Sequence, residues 1–229
     1  MEKAWLEKTF TQSWYNRLQP YITSQQFKDL GNQIALERKT KAIYPSSTNV
    51  FKALQLCSFG DVKVVILGNE PYNNAFADGL AFSCSGAEGL PRKKLQSSLV
   101  TIYETVERTC YKGLYLDKDP SLERWAKQGV LLLNSSLTST DEKEKHVSLW
   151  KPFTKEVLKA LSEYNTGVIY CLWGNKAKEF KKYINPKFNY ILEDSHPSSA
   201  NFNKMLWECN HFQMINTLLK QNNNEEIIW

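Results

Sequence analysis

Residues 62–73 read VKVVILGNEPYN. Val62, Val64, Val65, Ile66 and Leu67 form an apolar, largely β-branched run without clean alternation. A strand buried on both faces of a parallel sheet reads this way. The run ends at Gly68, in a turn closed by Pro71. Two more short runs share the character, Val130–Leu133 (VLLL) and Val168–Trp173 (VIYCLW), and a fourth apolar run is Asn189–Leu192 (NYIL). Helical spacing lies between them, over about 96–110, 122–128, 153–164 and 176–183. Alternating strands and helices predict right-handed βαβ units and a parallel sheet. Before the first strand, Trp5, Leu6, Phe10, Trp14, Tyr15 and Leu18 recur at helical spacing. Pro20 then predicts a break, and a second helix runs toward Leu36. Residues 1–45 are thus expected to be a helical layer within a single domain spanning 1–229.

Each strand is followed by a polar or glycine-containing segment. These are Gly68–Asn73, Asn134-Ser135-Ser136, Gly174-Asn175-Lys176 and Asp194–Ser199. Ligands of open parallel sheets bind outside the carboxyl ends of the strands, so all four segments converge on the binding edge.

Composition narrows the function classes. The 229 residues are 42% hydrophobic and 23% charged, values of a globular chain. No apolar run approaches the ~20 residues of a spanning helix, and Met1–Trp5 opens no signal-peptide core. No membrane contact and a cytoplasmic location (nuclear in a eukaryote) are expected. Twenty-nine basic against 24 acidic residues leave a net charge of +5, which suits an anionic partner without establishing one. Aromatics reach 13%, with seven tryptophans, suited to core packing or to stacking on bases. Cys57, Cys84, Cys110, Cys171 and Cys209 are scattered, as are His146, His196 and His211. That pattern predicts buried thiols, no disulfide framework and no metal site. The phosphate-cradling and dinucleotide glycine motifs and the nucleophile elbow are all missing.

Within the four segments, Glu70 is either a general base, a stabilising carboxylate or a metal ligand, or a turn residue capping amides. Asn134 either caps the next element or reads a base edge, since one amide both donates and accepts. His196 is either a structural group or a donor to a developing anion. Tyr72 and Phe82 either fill the core or stack on a flat ligand. Ser98, Gly174, Asn175, Ser198 and Ser199 suit phosphate oxygens through hydroxyls and backbone amides.

Taken together, the motifs resemble the family 1 uracil-DNA glycosylases over almost the whole chain. Val62–Ser83 resembles the water-activating segment, whose usual core is GQDPYH. Trp125–Thr138 resembles the segment with the base-reading asparagine, and Gly167–Gly174 the third strand and its phosphate-contacting loop. His196-Pro197-Ser198 resembles the start of the HPSPLS minor-groove loop. Cys209-Asn210-His211-Phe212 and Ile228-Trp229 also match. The resemblance implies a three-layer α/β/α fold with a central four-stranded, mostly parallel sheet. It implies a monofunctional, monomeric enzyme that needs no metal or cofactor, binds duplex or single-stranded DNA and flips out one base. Phe82 would stack on that base and Asn134 would bind its pairing edge. His196 would stabilise the departing base anion, and Glu70 the sugar cation and attacking water. A protein inhibitor of such glycosylases is a further partner it implies.

The departures fall at the site. Glu70 stands for the usual aspartate, Asn69 for glutamine and Asn73 for histidine; the loop to Gly79 is one residue shorter. Ala200 takes the place of the leucine wedge, so Ala200→Leu is expected to strengthen duplex binding. Gln96-Ser97-Ser98 replaces paired prolines after an insertion with Arg92, Lys93 and Lys94. These three, with Lys176, Lys178 and Lys204, are expected to supply phosphate contacts. Three readings follow: uracil excision in repair; excision of a 5-modified cytosine, such as a glucosylated hydroxymethylcytosine, from viral DNA as antiviral defence; and a catalytically inactive DNA-binding relative. Tyr72 favours the first, because its family counterpart fills the space beside C5. Asn69, Asn73 and the shortened loop favour the second.

Overall fold

The computed structural model describes residues 3–114, 119–142, 144–203 and 205–229; Lys204 lies outside them. Three helices open the chain: α1 (Lys3–Thr9), α2 (Gln12–Ile22) and α3 (Gln25–Glu37). The short α4 (Lys52–Leu56) leads to β1 (Val64–Gly68). Then come α5 (Ser97–Cys110), α6 (Glu123–Ala126), β2 (Val130–Asn134), α7 (Val147–Tyr164) and β3 (Ile169–Trp173). The chain closes with α8 (Asn175–Lys178), β4 (Tyr190–Asp194), α9 (Pro197–Asn203) and α10 (His211–Gln221).

The four strands form one sheet in the order β2-β1-β3-β4, and every pairing is parallel. All residues of β1, β2 and β3 are buried, as the apolar runs expect, and β2 ends in the buried amide of Asn134. β4 is half-exposed, in keeping with its edge position. The edge of β2 is covered: Ala81 N–H donates to the Leu132 carbonyl at 3.0 Å. That bond also seats the neighbouring Phe82.

From β1 the chain crosses to β2 on one side, and from β2 it returns past β1 to β3 on the other. With right-handed crossovers these connections cover opposite faces. One layer contains α5, which packs against α9 and α10; the other contains α7, against which α2 and α3 pack. The reversal between β1 and β3 is a topological switch point, where the ends of adjacent strands part and leave a crevice.

Several helix bounds differ from the sequence expectation. Pro20 does not break α2, which continues to Ile22. It sits in the last turn, where only one helical hydrogen bond is lost, and Thr23 N–H to Gln19 O closes the end. The breaks lie on either side, with the Ser24 hydroxyl capping α3 through Phe27 N–H at 3.3 Å. α7 begins at Val147, before Pro152 instead of after it. The helix expected over 176–183 is α8 followed by a separate 3₁₀ turn, Lys181–Tyr183.

Trp14, Trp125, Trp150, Trp173, Trp207 and Trp229 are buried, so the aromatic excess serves mainly packing; Trp5 is 41% exposed. Cys57, Cys84, Cys171 and Cys209 are buried free thiols, and Cys110 is half-buried. No described helix is long and apolar enough to cross a membrane.

Candidate active site

The crevice at the carboxyl ends of the strands holds a cavity of about 330 Å³. Asn69, Glu70 and Tyr72 line it after β1, and Asn134 at the end of β2. Gly174 and Asn175 line it after β3, His196 and Ser198 after β4, and Phe82 and Ser98 from the side. The four segments singled out in the sequence thus reach one cavity, because parallel strands end on one edge.

Asn134 is 4% exposed, and its amide lies over the α-carbon of Gly68, its register partner on β1. A methyl group on Gly68 would stand 2.3 Å from Asn134 Oδ1 and 3.1 Å from Ala81 Cβ. Glycine is therefore required by the close approach of the amide. Gly68→Ala is expected to lower catalysis by about 10²-fold, the scale of a 1 Å misplacement, with the fold retained. Single-turnover kinetics beside circular dichroism check this; a rate within about threefold of wild type would show that the position of Asn134 is not critical.

Phe82 has φ of 64°, a left-handed conformation that a bulky residue rarely adopts. Its surroundings enforce it. Tyr72 Oη donates to the Phe82 carbonyl at 3.0 Å. The buried Asp78 carboxylate accepts from Leu80 N–H, Ser83 Oγ and Ser85 N–H at 3.1, 2.5 and 3.0 Å, bracketing Phe82. The ring lies 5.7 Å from Trp173 and 5.6 Å from His196.

His196 Nδ1 accepts the Ser198 N–H at 3.2 Å and lies 2.8 Å from the Ser198 hydroxyl. Burial holds the imidazole below its ordinary pKa, hence neutral at pH 7. A ring that accepts at Nδ1 carries its proton on Nε2, so His196 offers one N–H donor. Gly174, at φ 86°, makes room for it: a Cβ there would stand 3.0 Å from His196 Cβ. The Glu70 carboxylate accepts the Glu144 N–H with its two oxygens at 3.3 and 3.2 Å.

Four of the expected placements differ in the structure. Asn73 is exposed and does not line the cavity, because the chain turns outward after Tyr72. Ala200 is 8% exposed, on a helix packed against α5, so its methyl group is buried and does not project as a surface wedge. The exposed apolar groups on that segment are Phe202, Met205 and Leu206. Arg92 is engaged by Glu107 at 2.7 and 3.0 Å and is not a free phosphate contact; Lys93 and Lys94 are exposed. Ser199 does not line the cavity; its N–H donates to the His196 carbonyl at 2.8 Å.

Sequence reasoning missed Glu144 and Trp173, which also line the cavity. Glu144 lies in a charged stretch that reads as a solvated turn; its φ of 58° and its pairing with Lys176 at 3.3 Å appear only in the fold. Trp173 reads as the end of an apolar strand. Among the described residues, a histidine and a cysteine meet a carboxylate at Asp194, Cys209 and His211.

Burial also lowers the pKa of His146 and His211, partly opposed by Glu37 and Asp194 respectively. The unfolded chain therefore takes up protons, at pH values where the folded one does not. Stability is full above the unfolded value of about 6.5 and is lost as pH falls through the depressed folded values. Tm is expected to hold near pH 7–8 and to decline on acidification below about 6.5; a constant Tm from pH 7 to 5 would contradict this.

Comparisons with known proteins agree with this fold. The model of the uracil DNA glycosylase superfamily matches residues 54–220. A uracil-DNA glycosylase of Fusobacterium nucleatum is 37% identical over 219 residues, 94% of each chain. One from Yersinia pestis (strain Pestoides F) is 39% identical over 215 residues, 92% of this chain and 90% of the relative. The crystal structure of mimivirus uracil-DNA glycosylase superposes with a TM-score of 0.86 at 24% identity, covering 98% of this chain and 88% of the other. Its Y322L form, solved in complex with UGI, gives the same TM-score and identity and covers 90% of that chain. A family model spanning most of the chain, close relatives over nearly its full length and a shared fold lead to one conclusion: the chain belongs to the uracil-DNA glycosylase superfamily.

Proposed function

We propose that this protein is a monofunctional DNA glycosylase that flips uracil out of DNA and hydrolyses its N-glycosidic bond, leaving an abasic site. The observation that carries the reading is that His196, Glu70 and Asn134 line one cavity together with Phe82, whose ring lies against that of His196. The cavity, about 330 Å³, has room for a single flat base. Phe82 stacks on the base, and Asn134 presents a donor and an acceptor to its pairing edge. As the bond breaks, negative charge gathers on the base and positive charge on the sugar. A fixed N–H on His196 stabilises the first; the Glu70 carboxylate stabilises the second and orients water. The reaction as described uses these residues alone.

Tyr72 lines the cavity, with its hydroxyl held on the Phe82 carbonyl, which favours uracil over bases carrying a 5-substituent. Asn73, one of the residues that motivated a modified cytosine, lies outside. The test is to incubate the purified protein with oligonucleotides carrying uracil or glucosylated 5-hydroxymethylcytosine and to score alkali-labile sites. Cleavage of the uracil strand is expected. Cleavage of the modified strand alone would overturn the substrate, and binding without cleavage would overturn the activity.

DNA lies across the same edge, with Ser98, Gly174, Asn175 and Ser198 beside its backbone. In this reading the chain works as one domain and as a monomer, in the cytoplasm, and a protein inhibitor covers the same edge. Phe202 is 89% exposed beyond Ala200 and offers the apolar side chain that Ala200 lacks. Phe202→Ala is expected to weaken duplex binding about five- to tenfold, a few kcal/mol at most being available from one wedge, and to affect single strands less. Equal duplex affinity by fluorescence anisotropy would remove Phe202 from the interface.

A further inference from the structure

Behind the cavity wall lies a line of polar contacts that the reaction above does not use. Trp173 lines the cavity and is 2% exposed. Its indole N–H donates to His211 Nδ1 at 2.9 Å. The neutral His211 ring therefore carries its proton on Nε2, which lies 3.9 Å from a carboxylate oxygen of Asp194. The other oxygen of Asp194 accepts the Ser195 N–H at 2.6 Å and contacts its hydroxyl at 3.3 Å. The Asp194 carbonyl accepts the Gly174 N–H at 2.9 Å. One residue thus joins β3, the start of α10 and the turn that carries His196.

Asp194, His211 and Cys209 place one oxygen, one nitrogen and one sulfur within 4.8 Å of one another, a donor set that a divalent metal takes. The hydrogen bonds argue against that use. Nδ1 of His211 is engaged by the indole, and Nε2 keeps its proton. Burial pushes the Cys209 thiol up to about 12, so neither group is a ready ligand at neutral pH.

We infer that Asp194 and His211 are positioning residues: together they clamp the Ser195–His196 turn against the Trp173 wall and so fix the direction of the His196 Nε2–H. The inference rests on the reading of His196 as the donor to the leaving base. Its physical basis is that the Phe82 ring touches both sides of the clamp, Trp173 and His196. A displacement of either wall changes the distance between the stacked base and its donor.

The test compares Asp194→Ala with Asp194→Asn, and His211→Leu with His211→Asn. The readouts are single-turnover excision of uracil, DNA affinity and the ring ¹⁵N spectrum of His196 in the free protein. Asp194→Ala is expected to slow excision about tenfold or more, as misplaced catalytic groups do, with DNA affinity within about twofold and a mixed His196 tautomer. Asp194→Asn should restore most of the rate, because its carbonyl still accepts the Ser195 N–H. His211→Asn should exceed His211→Leu, because it keeps an acceptor for the indole. An unchanged rate with a pure Nε2–H tautomer in Asp194→Ala would overturn the proposal. If Asp194→Ala folds poorly, equal rates for the two His211 variants would overturn it. Stoichiometric binding of zinc alone by the wild-type protein would also overturn it. The tautomer is read without DNA, so failure of the clamp and failure of the glycosylase reading remain distinguishable.

Discussion

Glu70→Gln is expected to slow uracil excision by on the order of 10²–10⁴-fold, the usual contribution of a positioned catalytic carboxylate. Glutamine preserves the volume and leaves a carbonyl oxygen to accept the Glu144 N–H, which now lies 3.2–3.3 Å from the carboxylate. What disappears is the charge that, in the proposed mechanism, stabilises the developing sugar cation. DNA affinity and Tm should stay near wild type, because Glu70 is held by a turn and not by the core. The measurement is a single-turnover rate with saturating enzyme on a uracil oligonucleotide. A loss smaller than about tenfold would remove Glu70 from the chemistry.

His196→Ala is expected to cost about 10²–10³-fold, the scale of one donor lost from an anion-stabilising site. The wild-type ring is neutral and its single N–H is defined by the Ser198 N–H at Nδ1. As pH falls through the depressed pKa of His196, the ring takes a second proton on Nδ1 and must give up that hydrogen bond. The wild-type rate should therefore show a step on its acid limb that is missing in His196→Ala. Identical acid limbs in the two proteins would mean that another group sets the profile.

Much of the fold was legible because local physics left little choice. Residues 64–67, 130–133 and 169–173 carry no charged or amide side chain and are buried, and a parallel sheet covered on both faces accommodates three such strands. Parallel strands end on one side, so Glu70, Asn134, Gly174 and His196 had to share an edge once the strands were assigned. The helix bounds at Pro20 and Pro152 were less legible. The cost of a proline depends on its place within the helix, and packing of the flanking turns decides that place.

The sequence by itself determined the α/β architecture, the strand-end location of the site and the chemical types gathered there. Only the tertiary structure decided which of those side chains face the cavity and in what state. It turned Asn73 outward, buried Ala200 and tied Arg92 to Glu107. It also set the proton of His196 on Nε2 and brought Glu144 and Trp173 to the site. The reason is physical. A strand end follows from residues adjacent in the chain, whereas the orientation and protonation of a side chain follow from its partners. Those partners include Glu107 for Arg92, Glu144 for Glu70 and His211 for Trp173, each well separated in sequence and joined only by the fold.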